Sequence, residues 1–221
     1  KGIATLQEEL TPEELETTLQ SLLSETVRAQ ELNADFQAEL RASQSEVHAL
    51  RSELEVSKKD ANTDPLTGIG NRRHFDEALK AGLDNANAPL SMLLVDIDYF
   101  KRINDTYGHS TGDRVIIAIA DVVRGFHGDN ISVARYGGEE FALLLVNYGL
   151  DEAVAKAESL RRRIGELRVN DDEELPIGKI TASLGAAQRN GSESGEQLIQ
   201  RADAALYQAK EQGRDRVHVA D

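Results

Sequence analysis

Hydrophobic positions in this chain follow one period up to about residue 61 and others after it. Over the first stretch, a seam with alternating steps of three and four runs Leu15, Leu19, Leu22, Thr26, Ala29, Asn33, Phe36, Leu40, Ser43, Val47, Leu50, Leu54, Ser57, Ala61. With Leu19 at heptad position a and Leu22 at d, Asn33, Leu40, Val47 and Leu54 fall at a, and Phe36 and Leu50 at d. A sustained 3.5-residue repeat predicts a coiled coil, and a lone Asn at a favours a parallel two-stranded register. Upstream, Ile3, Leu6 and Leu10 form a shorter helical stripe. Thr11-Pro12-Glu13-Glu14 reads as a helix start, with Thr11 as N-cap, Pro12 at the first position and Glu14 closing a capping box. A helix of about 50 residues extends about 75 Å, further than a small domain can cover. The seam is therefore read as a parallel homodimer stalk through residues 12–61, not as a face packed on its own domain. Thr26, Ser43 and Ser57 weaken the seam, as suits a stalk that shifts between registers.

Pro and Gly gather in Asp64-Pro65-Leu66-Thr67-Gly68, which ends the helical period and places a domain boundary at about residue 61. Two domains are expected, a helical stalk over 1–61 and a globular domain over 62–221. Asn71 caps a helix over 72–86 with Phe75 and Leu79 inward, and an apolar strand over 91–95 runs into Asp96-Ile97-Asp98. Asp98 is expected to cap a helix over 99–107. A loop over 108–113 leads to a helix whose apolar face is Val115, Ile116, Ile119 and Val122. The β-prone runs 131–136 and 141–146 flank Gly137-Gly138-Glu139-Glu140. They predict a hairpin, its glycines taking positive φ in a tight reversal that holds carboxylates at the tip. A helix over 151–167, an acidic loop over 169–179, a strand over 180–184 continuing toward 188, a helix over 197–212 and a strand over 217–219 complete the chain. The fold class is α+β: a central, mostly antiparallel sheet surrounded by helices, preceded by a long coiled-coil helix.

Composition narrows what such a domain can do. Its net charge of −14 over 221 residues argues against nonspecific binding to nucleic acid or anionic membranes, while leaving room for a local basic site. Without cysteine there is no disulfide, thiolate metal site or cysteine nucleophile, which fits a cytoplasmic location. No apolar run approaches membrane-spanning length, so no membrane segment is expected. Lys1 in place of Met leads us to expect sequence before it.

The chemistry-bearing residues cluster at predicted strand ends and helix starts. Asp96 with Asp98, and Glu139 with Glu140, form a candidate oxygen cage for a hard divalent cation, which is typically held by one or two carboxylates plus substrate phosphates. Backbone N–H groups of Tyr99, Phe100 and Lys101 at a helix start offer an anion site. Lys210 and Arg214 offer positive charge, or serve as favourable charges at a helix C-terminus. Asn104 and Asp113 carry amide and carboxylate groups suited to a base edge such as guanine.

Asp64-Pro65-Leu66-Thr67-Gly68, the run from Asp96 to Asp113, Arg135-Tyr136-Gly137-Gly138-Glu139-Glu140-Phe141 and the run from Ala202 to Asp215 together resemble the GGDEF family of diguanylate cyclases, in its GGEEF variant. The resemblance covers about residues 61–219, with four motifs in family order. It implies the nucleotide-cyclase-like GGDEF fold and a reaction that condenses two GTP into cyclic di-GMP with release of pyrophosphate, in bacterial second-messenger signalling linked to biofilm formation. It implies two Mg²⁺ per half-site, with Mn²⁺ as a substitute. Asp96, the Ile97 carbonyl, Glu139 and Glu140 become the metal ligands, with Glu139 the general base beside Glu140. Asn104 and Asp113 become the guanine readers. Tyr99, Phe100, Lys101, Lys210 and Arg214 become the phosphate contacts. The partners implied are GTP, a second copy of the chain, and a regulatory protein or upstream sensor acting on the stalk. The family's product-inhibition Arg-x-x-Asp is missing, since Gly128 and Ile131 stand at its positions. The alternative is a catalytically silent GTP-binding signalling module. Its usual mark is loss of Asp96, Glu139 or Glu140, and all are present.

Overall fold

In the computed structural model, residues 12–84 and 88–220 are described. The expectations on Ile3, Leu6, Leu10 and Thr11 lie outside them, as do the side chains of Glu14, Leu54 and Ser57 and residues 85–86 of the helix expected over 72–86, which ends at Leu83 with Asp84 as its C-cap. The chain divides into two units, Lys1–Lys58 and Lys59–Asp221. The first is made by helix α1 (Pro12–Asn62), 51 residues without an internal glycine or a second proline to break it. Its seam side chains Leu15, Leu19, Leu22, Phe36, Leu40, Val47 and Leu50 are exposed.

The second unit is a five-stranded sheet of order β2-β3-β1-β4-β5, built from β1 (Leu90–Ile97), β2 (Ile131–Arg135), β3 (Glu140–Val146), β4 (Ala182–Gln188) and β5 (Val217–Val219). Every pairing is antiparallel except β4 with β5. All eight residues of β1 are buried, because alternate side chains enter cores on opposite faces. Leu93, Val95 and Ile97 pack with Val115 and Ile119 of α3 (Phe100–Arg124) and with Leu160 and Ile164 of α4 (Leu150–Gly165). Met92 and Leu94 pack with Phe75 and Leu79 of α2 (Arg72–Leu83) and with Leu198 and Leu206 of α5 (Gly195–Glu211). A strand apolar on both faces can only be central, and covering helices on both faces follow from that.

Caps set the element ends. The Asn71 side chain accepts from the His74 N–H to start α2, and Ser194 with Gln197 forms a capping box that starts α5 two residues earlier than expected. The strand expected from residue 180 begins at Ala182 and runs to Gln188. Two expectations fail around α3. Asp98 does not cap it; Tyr99 is the N-cap residue, with left-handed φ 56° and ψ 30° and no side-chain cap. The expected loop over 108–113 is helical, interrupted only at Gly108, whose φ of 83° and ψ of 162° break the ladder for one residue.

Candidate active site

The C-terminal end of β1 and the start of β3 are neighbours, so Asp96 pairs with Glu140 across the ladder. The Ile97 N–H donates to the Glu139 carbonyl at 3.4 Å. The turn between β2 and β3 is closed by Tyr136 and Gly137 N–H groups donating to the Glu140 carbonyl at 2.8 and 3.2 Å. Neither Gly137 nor Gly138 takes the positive φ expected of them. Gly137 is needed for space, because a Cβ there would sit 2.5 Å from Oε2 of Glu140, and at Gly138 a Cβ would meet nothing within 4 Å. The tip thus cradles one carboxylate and leaves open volume beside it. Arg135 fixes it from below, donating to the Gly138 carbonyl at 2.7 Å and pairing with Asp64 at 3.2 Å. That pair is only 16% and 15% exposed, so its members are costly to separate.

Lys210, in the last turn of α5, brings Nζ to 2.8 Å from Oδ2 of Asp96. Burial raises the Asp96 carboxyl pKa, Lys210 opposes the rise, and Asp98 adds to it. Burial likewise raises Glu139, with Asp96 and Glu140 contributing, and raises Glu140, with Asp96 and Asp203 contributing. Three carboxylates whose charges oppose one another, answered chiefly by the Lys210 ammonium with smaller contributions from Arg214 at Asp96 and Arg72 at Glu140, keep raised pKa values and so form a site short of positive charge.

A divalent cation fits that donor set. Hard cations take carboxylate and carbonyl oxygens, and Gly137 leaves the Glu140 carboxylate its room. Among the described residues no three acidic or histidine side chains converge into a cation cage by themselves. The arrangement therefore suits a cation that arrives with substrate phosphates. Asp98 is not part of any such cage. Only 5% exposed, it accepts from the hydroxyls of Thr181 and Ser183, both at 2.7 Å, and from the Asp215 N–H at 3.0 Å.

The N-cap residue of α3, Tyr99, directly follows Asp98. Tyr99 presents a half-exposed ring, with the Arg214 guanidinium 4.6 Å and the Arg102 guanidinium 4.7 Å from its centroid. The Arg102 contact has the i, i+3 spacing of a helix, whereas the Arg214 contact is not legible in spacing, because Arg214 reaches the ring through a left-handed loop. Phe100 is buried and Lys101 exposed, so the backbone and not these side chains defines an anion seat there. Further along α3, Oδ1 of Asn104 is buried with no hydrogen-bond partner. A Cβ on Gly112 would overlap that oxygen, so Gly112 lets Asn104 lie against the helix beside exposed Asp113. An orphan buried acceptor next to an exposed carboxylate suits a ligand edge carrying N–H donors.

The structure thus gathers Asp96, Ile97, Glu139, Glu140 and Lys210, sets Tyr99 and Arg214 together, and sets Asn104 next to Gly112 and Asp113. Sequence reasoning missed the Asp64–Arg135 brace and the Asp98 hub. A buried polar residue just past an apolar strand was the signal for Asp98, and capping absorbed it.

The profile described as diguanylate cyclase, GGDEF domain, matches residues 61–216. Diguanylate cyclase VdcA of Vibrio cholerae is 40% identical over 212 residues, 96% of this chain and 62% of that protein. Diguanylate cyclase DosC of Escherichia coli is 37% identical over 195 residues, 85% of this chain and 42% of that protein. The chain therefore spans about half the length of these relatives, 62% and 42%. The crystal structure of the coiled coil and GGDEF domain of DgcB from Caulobacter crescentus, in complex with c-di-GMP, superposes with a TM-score of 0.78. It is 37% identical and covers 84% of this chain and 99% of that one. Diguanylate cyclase SiaD from Pseudomonas aeruginosa, solved with its activator SiaC, also gives 0.78, at 31% identity, covering 93% of this chain and 80% of that one.

Proposed function

Because the chain belongs to the GGDEF family of diguanylate cyclase domains, we propose that it condenses two GTP into cyclic di-GMP with release of two pyrophosphates. The observation that carries this reading is the charge-deficient carboxylate group of Asp96, Glu139 and Glu140, set beside Lys210 and near the uncapped start of α3. Asn104 and Asp113 read guanine, the orphan Oδ1 and the carboxylate accepting from its N–H groups. Backbone N–H groups from Tyr99 to Lys101, with Lys210 and Arg214, hold the phosphates. Asp96, the Ile97 carbonyl, Glu139 and Glu140 would hold two Mg²⁺, or Mn²⁺ in their place. Bound there, such cations would supply the positive charge that an in-line displacement needs at its attacking and leaving oxygens. Glu139 receives the proton of the 3′-hydroxyl that attacks the α-phosphate of the other GTP.

One domain supplies one such site and one GTP, so the two new phosphodiester bonds need a second domain facing the first. Residues 1–61 are the stalk and 62–221 the cyclase domain in this reading. A parallel homodimer through residues 12–61 sets the pairing and forms a symmetric assembly. The exposed seam of α1 supports it. A regulatory protein or upstream sensor acts on that stalk in this reading; the similar SiaD was solved in complex with its activator SiaC. We place the reaction in the cytoplasm, where GTP is available; no described helix is long and apolar enough to cross a membrane.

Product feedback through the family position is absent in this reading. Ile131 is buried in the core and bridges Gly128, so that pair offers neither cation nor carboxylate to a ligand. Turnover is expected to respond weakly or not at all to added cyclic di-GMP, and activity that collapses with added product would refute this. The function itself is tested by incubating the chain with GTP and Mg²⁺ and separating nucleotides. Cyclic di-GMP and pyrophosphate are expected, and no product from a verified dimer contradicts the proposal.

A further inference from the structure

The loop after α5 holds a conformation that its residue types resist. Gly213, Arg214 and Asp215 take φ of 113°, 63° and 46°, so two consecutive non-glycine residues are left-handed. Such backbone persists only where its surroundings over-determine it. Here the Arg214 N–H donates to the Ala209 carbonyl at 3.0 Å, and the Arg216 carbonyl accepts from the Leu184 N–H at 2.9 Å. The Asp215 carboxylate pairs with Arg161 at 2.6 Å and Lys179 at 2.9 Å. The Asp215 and Arg214 carbonyls accept from the side chains of Arg161 at 3.3 Å and Arg216 at 3.2 Å, and the Arg214 guanidinium donates to the Lys210 carbonyl at 3.3 Å. The Asp215 N–H itself donates to Oδ2 of Asp98 at 3.0 Å.

We propose that Asp98 is a positioning residue of the phosphate seat: by accepting the Asp215 N–H it fixes the left-handed Arg214–Asp215 pair and so sets the Arg214 guanidinium on the Tyr99 ring. The inference rests on reading the α3 start as the seat of the GTP phosphates. Two further features support it. Asp98 immediately precedes Tyr99, so one short segment carries both the ring that receives Arg214 and the acceptor that fixes its loop. Asp98 is also buried, with its oxygens taken by Thr181, Ser183 and Asp215, so it acts through the loop and touches no substrate.

The chemistry of the hub gives a discriminating set of variants. In Asp98→Asn the amide oxygen can still accept from Asp215 and Thr181, while its NH₂ donates to the Ser183 hydroxyl, which both donates and accepts. Asp98→Ala removes the acceptor, and Asp98→Ser retracts it from reach should the alanine variant not fold. The readout is the dissociation constant for Mg²⁺–GTP against that for guanosine, which lacks phosphates, measured on the full chain.

Asp98→Ala or Asp98→Ser is expected to weaken GTP about tenfold or more, the scale of one hydrogen bond to a charged group, and to leave guanosine unchanged. Asp98→Asn is expected to restore most of the loss. Adding Arg214→Ala to Asp98→Ala is expected to cost nothing further, as for two residues acting through one contact. Equal losses for GTP and guanosine, additive losses with Arg214→Ala, or an asparagine variant as weak as alanine would overturn the proposal. A wild-type chain that binds GTP no better than guanosine would instead overturn the phosphate-seat reading beneath it.

Discussion

Phe36 on helix α1 leaves 65% of its surface in solvent, whereas Phe75 and Phe141 in the globular unit leave none. The contrast extends to whole elements. β1 has apolar residues on both faces and finds a core on each, supplied by helices of its own unit. α1 repeats its apolar residues along one seam, and among the described residues these side chains stay exposed. A sheet whose two faces are covered from the same chain is complete alone, but an isolated amphipathic helix gains most of its stability from a partner. The active site follows the same division. In the proposed reaction, the residues assigned to one nucleotide all lie within residues 62–221, and the second nucleotide is expected from another copy.

The two regions are therefore expected to fail differently. Glu140→Ala strikes the complete part. Turnover is expected to drop by about 10²–10³-fold or more, the scale of removing one group that stabilises transition-state charge, and to the same extent at every protein concentration. Loss that recovers on concentrating the variant would erase the distinction. Leu22→Asp with Leu40→Asp strikes the incomplete part. Each leucine contributes about 1.5–3 kcal/mol when buried, so dimer affinity is expected to fall at least tenfold. Specific activity should fall at low concentration and return at high concentration, as followed by sedimentation.

Arg135→Ala sharpens the comparison inside the globular unit, since it removes the brace between the signature turn and Asp64 without touching the seam. It leaves a mostly buried Asp64 without its cation. A fall in thermal midpoint of about 5 °C is expected for a loss of about 1–3 kcal/mol, with dimer affinity unchanged. Glu139→Gln has the smallest effect and the opposite sign. Burial and neighbouring carboxylates raise the Glu139 pKa in the folded state. The folded state thus binds more protons than the unfolded one between the two pKa values, and stability falls as pH rises through that window. Removing the charge is expected to raise the midpoint by about 1–2 °C at pH 7 without divalent cation. The gain should vanish on acidification, where wild-type Glu139 is itself protonated. A destabilised glutamine variant at pH 7 would contradict the charge-deficient description of the site.

Much of this was legible in the sequence because it depends on local rules. The change of hydrophobic period located the end of α1, continuous apolar, β-prone runs located the central strands, and paired carboxylates beside glycines pointed to the tip. What was not legible depends on contacts distant in sequence or on competing local options. Asp98 has the residue type and position of a helix cap, yet donors from residues 181, 183 and 215 claim it, so α3 starts on left-handed Tyr99 instead. Gly137 reads as a turn residue with positive φ, but serves by leaving room for Glu140. The 108–113 segment carries loop-forming glycines, yet helical packing against the core overrides all but Gly108.

The central claim is that catalysis needs the stalk to deliver a second domain. It is tested most directly by measuring cyclic di-GMP formation and dimer fraction together across a dilution series of the wild-type chain. Specific activity is predicted to follow the dimer fraction to zero. Activity that persists undiminished in a chain shown to be monomeric would contradict it.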